Sequence, residues 1–114
     1  MKPEIKNIAI IGLGLIGSSI LHALKIKKNS KYITFAYDIN VKYRNIVKKM
    51  EISDKVCNKI SDVVKNADLI ILAVPVGSMG EVAKEINPYV KKGAIITDTG
   101  STKISVIKDV SPFI

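Results

Sequence analysis

Gly12, Gly14 and Gly17 form a G-x-G-x-x-G pattern directly after the apolar run Ile8-Ala9-Ile10-Ile11, and Asp38 follows 21 residues beyond Gly17. Glycine spacing alone says little; the setting gives it chemical meaning. The apolar run predicts a buried parallel strand. An apolar face at helical spacing (Ile16, Ile20, Ala23, Leu24) predicts a helix after the turn. In that setting Gly12 permits the tight strand-to-helix turn and Gly14 lets the backbone approach a pyrophosphate. Gly17 lets the helix lie close against the sheet. The N–H groups of the helix start, at Leu15 and Ile16, and the positive end of the helix dipole then hold phosphates without a basic side chain. A second apolar strand, Ile33-Thr34-Phe35-Ala36-Tyr37, ends in Asp38, whose carboxylate is placed to accept hydrogen bonds from ribose hydroxyls. The whole pattern predicts a dinucleotide site, against the alternative of a structural turn that never meets phosphate. Asp38 repels a 2′-phosphate, and Ile39 and Asn40 bring no cation to receive one, so NAD is expected over NADP.

Those residues need an alternating scaffold, and the chain supplies one. Strand one is expected at about Lys6 to Ile11 and helix one at about Leu15 to Lys27. Strand two runs from Ile33 to Tyr37. Asn40 caps a helix through about Met50, with Val41, Ile46, Val47 and Met50 as its apolar face. A short strand falls near Lys55-Val56-Cys57, and Ser61-Asp62 opens a brief helix ending near Asn66. The fourth strand, Leu69 to Val74, is apolar at every position, as a strand covered on both faces should be. Pro75 stops it, and the capping-box spacing of Ser78 and Glu81 starts the next helix, with Met79, Val82, Ala83 and Ile86 on one face. Strand five, Ala94 to Thr97, leads into Asp98-Thr99-Gly100-Ser101-Thr102-Lys103. A last helix is expected to bury Ile104, Ile107 and Val110, and Pro112-Phe113-Ile114 reads as the first step of a sixth strand. The fold expected for residues 1–114 is one α/β domain: a Rossmann-type, doubly wound parallel sheet of order 3-2-1-4-5, stopping before or within strand six. If strand six does not form, strand five becomes a bare edge inviting self-association.

Composition narrows the classes. The chain has 114 residues, 47% hydrophobic and 25% charged, ordinary for one globular domain. Apolar runs are too short to cross a bilayer, and Met1 leads so directly into strand one that no signal peptide is expected. The net charge of +8 does not point to nucleic acid: the basic residues are scattered, all but Arg44 are lysine, and no aromatic side chains are interleaved with them. The single cysteine, Cys57, excludes an intrachain disulfide and fits a cytoplasmic location; it reads as a small packed side chain. No metal site is expected.

Three segments carry a resemblance to a known family. They are Gly12 to Ser19, Ala67 to Val76, and Ile96-Thr97-Asp98-Thr99-Gly100-Ser101-Thr102-Lys103. Together they resemble the N-terminal domain of the prephenate/arogenate dehydrogenases of tyrosine biosynthesis. The last segment, T-D-x-G-S-x-K, is the discriminating one. The resemblance implies an NAD(P)-dependent oxidative decarboxylation of prephenate or arogenate and a partner helical domain, also the usual dimer contact, beyond these residues. It assigns Ser101 to the substrate hydroxyl and places the catalytic histidine of the family in an H-P segment after strand six. Ser18 departs from a glycine common in the family, and its hydroxyl could itself reach a phosphate. Two rivals are a hydroxyacid or 6-phosphogluconate-type dehydrogenase and a nucleotide-binding module without catalysis.

The remaining residues have plain readings beside the functional ones. His22 reads as a surface or packing residue in mid-helix, and Arg44 as a solvated helix residue. Asp98 orients the turn after it or caps the next helix, and Ser101 alone would be a helix cap. Lys103 either neutralises a substrate carboxylate or is one more surface lysine. Val74 and Pro75 line the cofactor loop after strand four, or Pro75 merely stops that strand.

Overall fold

Alternating apolar and amphipathic segments fold into a six-stranded sheet flanked by helices on both faces. The computed structural model describes residues 5–26, 32–99 and, as backbone, 105–108. Strands β1 (Asn7–Ile11), β2 (Ile33–Tyr37), β3 (Lys55–Val56), β4 (Leu69–Leu72), β5 (Ala94–Asp98) and β6 (Ser105–Lys108) lie in the order β3-β2-β1-β4-β5-β6. The first five are parallel, so the predicted order 3-2-1-4-5 is borne out.

Alternation along each strand divides the core in two. Ile8 and Ile10 of β1 face Leu21 of α1 (Leu15–Ile26) and Val47 of α2 (Val41–Met50). Ala9 and Ile11 face the opposite layer, with Val63 and Val64 of α3 (Ile60–Val64) and Ile86 of α4 (Val76–Ile86). Ile70 and Leu72 of β4 join this second layer while Leu69 and Ile71 pack on the first, which is why β4 is apolar throughout.

Four sequence expectations are corrected. The buried stripe of α1 is Gly17, Ile20, Leu21 and Leu24, a complete i, i+3, i+4, i+7 set, while Ile16 and Ala23 are exposed. Ile20 and Leu24 are half-buried as expected, and close packing at Gly17 brings Leu21 rather than Ala23 inward. On α2 only Val47 is fully buried, because this helix covers little more than the narrow β2–β3 margin, and Val41, Ile46 and Met50 face solvent. Helix α4 begins at Val76, where the Ser78 N–H reaches the Pro75 carbonyl at 2.8 Å, so Ser78 lies inside the first turn rather than capping it. Finally, residues 105–108 form a strand, not a helix. They run antiparallel to β5, with Ile96 opposite Val106 and Ile95 opposite Ile107. Two β-branched residues side by side suit a strand, and pairing satisfies the backbone groups that β5 would otherwise expose. The bare edge expected at β5 is therefore covered. The expected start of a further strand at 112–114 lies outside the described residues.

Cys57 is half-buried and unpaired; burial, aided by Asp62, pushes its thiol above the usual range, so it stays protonated and packs as an apolar group. Among the described residues, no helix is long and apolar enough to cross a membrane.

Candidate nucleotide-binding site

The parallel strands aim their carboxyl ends at one rim, where the loops after β1, β2 and β4 meet. Two main-chain bonds lock them. The Gly12 N–H donates to the Tyr37 carbonyl at 2.9 Å, and the Ala73 N–H donates to the Ile11 carbonyl at 2.7 Å. Gly12 has φ +102°, and a Cβ there would lie 2.4 Å from the Ala73 oxygen and 3.1 Å from Val74 Cγ1. Only glycine fits a backbone so turned and so enclosed. Gly17 is tighter still, with the Gly12 carbonyl oxygen 1.8 Å from where its Cβ would stand. Both predicted packing roles hold.

Gly14 is different. A Cβ there would meet nothing within 4 Å, and its neighbours Leu15 and Ile16 are 86% and 55% exposed. Among the described residues, no atom fills the space that a Cβ at Gly14 would enter. No acidic residue lies within the first turn of α1, and the nearby Asp38 carboxylate meets the chain just before it, at the Leu13 N–H. Ser18 does not contribute: its hydroxyl donates to the Leu13 carbonyl at 3.0 Å, within the turn rather than toward the opening.

Asp38 follows β2 directly and is tied to the glycine turn. Its Oδ2 accepts the Leu13 N–H at 2.7 Å and its Oδ1 accepts the Asn40 N–H, also at 2.7 Å. Asn40 in turn caps α2 by accepting the Lys42 N–H at 2.9 Å. Both carboxylate oxygens are thus fixed in direction and keep lone pairs for further donors.

Val74 lies against Gly12 and packs on the second core layer, with Ala9 and Ile11; Pro75 follows, exposed, at the head of α4. Asp98 ends β5 opposite Leu72, and the Thr99 N–H donates to the Leu72 carbonyl at 3.2 Å. Ser101 and Lys103 lie outside the described residues. His22 is exposed on α1, about 10 Å along the helix from Leu15 at 1.5 Å per residue.

Arg44 is the residue that sequence reasoning missed. It is half-buried, not solvated. Its Nη1 donates to the Asp38 carbonyl at 2.7 Å, its guanidinium stands 5.7 Å over the Tyr37 ring, and its Nε is buried without a protein partner. Burial, then the charge of Glu85, push the Tyr37 phenol above its ordinary value while Arg44 opposes them, so Tyr37 is a neutral platform for the cation.

Fold and site together define a nucleotide-binding domain of the doubly wound α/β class, with its glycine turn at the β1/β4 switch point. The chain belongs to the prephenate dehydrogenase family: the model of that family's nucleotide-binding domain matches residues 22–114. That match begins after the glycine turn. Cyclohexadienyl dehydrogenase of Zymomonas mobilis is 47% identical over 103 residues, covering 90% of this chain and 35% of the relative. Prephenate dehydrogenase of Lactococcus lactis is 41% identical over 104 residues, covering 90% of this chain and 28% of the relative. Among solved structures, prephenate dehydrogenase from A. aeolicus in complex with hydroxyphenyl propionate and NAD+ superposes with a TM-score of 0.77 at 26% identity, over 90% of this chain and 36% of that one. The chain therefore spans about a third of the length of these relatives.

Proposed function

We propose that this chain is the NAD-binding domain of a prephenate or arogenate dehydrogenase. The observation that carries the reading is the open space at Gly14 over a helix start whose first turn holds no acidic residue, with the Asp38 carboxylate tied beside it through Leu13. In this reading the first-turn N–H groups of α1 hold the pyrophosphate, and Asp38 accepts hydrogen bonds from the adenosine ribose. Val74 and Pro75 flank the nicotinamide half across the β1/β4 crevice. Bound NAD supplies the hydride acceptor.

NAD is preferred over NADP although a cation lies close to Asp38. Arg44 already spends Nη1 on the Asp38 carbonyl, and its Nε is buried, so the guanidinium is poorly disposed to grip a 2′-phosphate. The fixed carboxylate repels that phosphate instead. The lone Cys57, without a disulfide partner, supports a cytoplasmic setting.

Substrate oxidation draws on residues beyond those described. The resemblance gives Ser101 to the substrate hydroxyl, and a serine positions that group without accepting its proton. A base must stand within hydrogen-bond reach. The single histidine of the sequence, His22, is exposed on α1, away from the strand ends. These 114 residues alone are therefore expected to bind NAD and not to oxidise prephenate or arogenate. Calorimetry with NAD and NADP, followed by NADH absorbance with each substrate, tests this. Tighter NADP binding would sink the Asp38 role, and turnover by the 114 residues would show that the base lies among them.

A further inference from the structure

We propose that Arg44 is the positioning residue for Asp38, setting how tightly the adenosine ribose is held; this rests on the NAD-binding reading above. The strand ladder of β2 ends at Tyr37, whose carbonyl is taken by Gly12, so the Asp38 carbonyl lies past the last ladder bond. Arg44 supplies the missing donor at 2.7 Å from six residues downstream, with a longer approach of 3.5 Å to the Ile39 carbonyl. Its Cζ stands 5.7 Å from the Tyr37 ring centroid, and its own N–H belongs to the first turn of α2 through the Asn40 carbonyl at 3.3 Å. One side chain thus joins the end of β2, the turn and the start of α2. The direction of the Asp38 carboxylate depends on that turn, because Oδ1 is aimed by the Asn40 N–H and Oδ2 by the Leu13 N–H. A lysine reproduces the charge but not the flat fork that meets a carbonyl while lying over a ring.

The role is separable from general folding by which ligand suffers. Arg44→Met keeps an apolar stem over Tyr37 and removes the donor. We expect NAD affinity to fall about tenfold, while affinity for an NAD analogue lacking both adenosine ribose hydroxyls changes less than about twofold. In an Asp38→Asn background, itself weakened for NAD, Arg44→Met should add less than about a further twofold. Arg44→Lys, which keeps the cation should the methionine variant fail to fold, should lose about threefold for NAD and leave the analogue unchanged. Equal losses for NAD and the analogue, or additive losses with Asp38→Asn, would overturn the proposal. A weakened Asp38→Asn beside unchanged Arg44 variants would overturn it and spare the NAD reading. An unchanged Asp38→Asn would overturn the proposal together with the ribose role of Asp38, and no NAD binding by the wild-type chain would overturn the NAD reading as well.

Discussion

The α-carbon of Gly17 sits directly under the carbonyl of Gly12, so close that a methyl group on Gly17 would lie 1.8 Å from that oxygen. The obstacle is backbone, not a side chain that could rotate away. Gly17→Ala must therefore push α1 off the sheet and open the core around Leu21, which is fully buried. We expect a loss of at least about 3 kcal/mol, lowering the unfolding midpoint by at least about 10 °C in a thermal melt. A midpoint within a few degrees of wild type would show that the helix does not rest on this contact.

Asp68 anchors the opposite end of the sheet. Its Oδ2 accepts the Lys6 N–H at 2.9 Å and the Asn7 N–H at 2.8 Å, and its Oδ1 pairs with the Lys91 ammonium. Burial pushes its carboxyl up, but the Lys91 bond and the two main-chain donors outweigh it and hold the group below the usual carboxylate range. A group depressed in the folded state contributes its stability above the unfolded value of about 3.9 and loses it as pH falls toward the folded value. Asp68→Asn should cost about 2 kcal/mol at neutral pH and flatten the acid limb of stability below about pH 4. Denaturant unfolding at several pH values measures both. An acid limb unchanged from wild type would place the pH dependence elsewhere.

Glu51 ends α2 in the left-handed region, φ 54°, with its N–H on the Val47 carbonyl at 3.1 Å. Its carbonyl also receives the Lys25 ammonium, a main-chain contact that any residue can keep. Glycine carries no Cβ penalty in this conformation. Glu51→Gly should stabilise the domain by up to about 1 kcal/mol, raising the melting midpoint by about 4 °C. A lower midpoint would mean that the glutamate side chain makes a contribution larger than this strain.

The five parallel strands, their order and the Asp38 position were legible because each rests on local pattern: continuous apolar runs, turn glycines and a carboxylate at a strand end. The glycine spacing is matched by the close packing at Gly12 and Gly17, and Asp38 is hydrogen-bonded to Leu13 within the glycine turn. Arg44 was not legible, since its bond to Asp38 depends on how the turn at Asn40 folds the first turn of α2 back over β2. The fate of residues 104–110 was ambiguous for a different reason. Ile104, Ile107 and Val110 fit a helical face, whereas Val106 and Ile107 fit a strand, and only the unpaired side of β5 decides between them. The face of α1 kept Ile20 and Leu24 but took Gly17 and Leu21 in place of Ile16 and Ala23, because the close contact at Gly17 is invisible to a hydrophobicity count. Ser101, the one residue assigned to substrate through the resemblance, lies outside the described residues and is testable by function alone.

The most direct measurement is NAD binding by a Gly14→Ala variant beside its own unfolding curve. An added methyl at Gly14 meets no protein atom within 4 Å, so it should leave folding within about 1 kcal/mol of wild type. It projects into the space assigned to the pyrophosphate, so calorimetry should show saturable NAD binding by the wild-type chain and at least a tenfold loss, about 1.4 kcal/mol, in the variant. A folded Gly14→Ala chain that binds NAD as tightly as wild type would contradict the account.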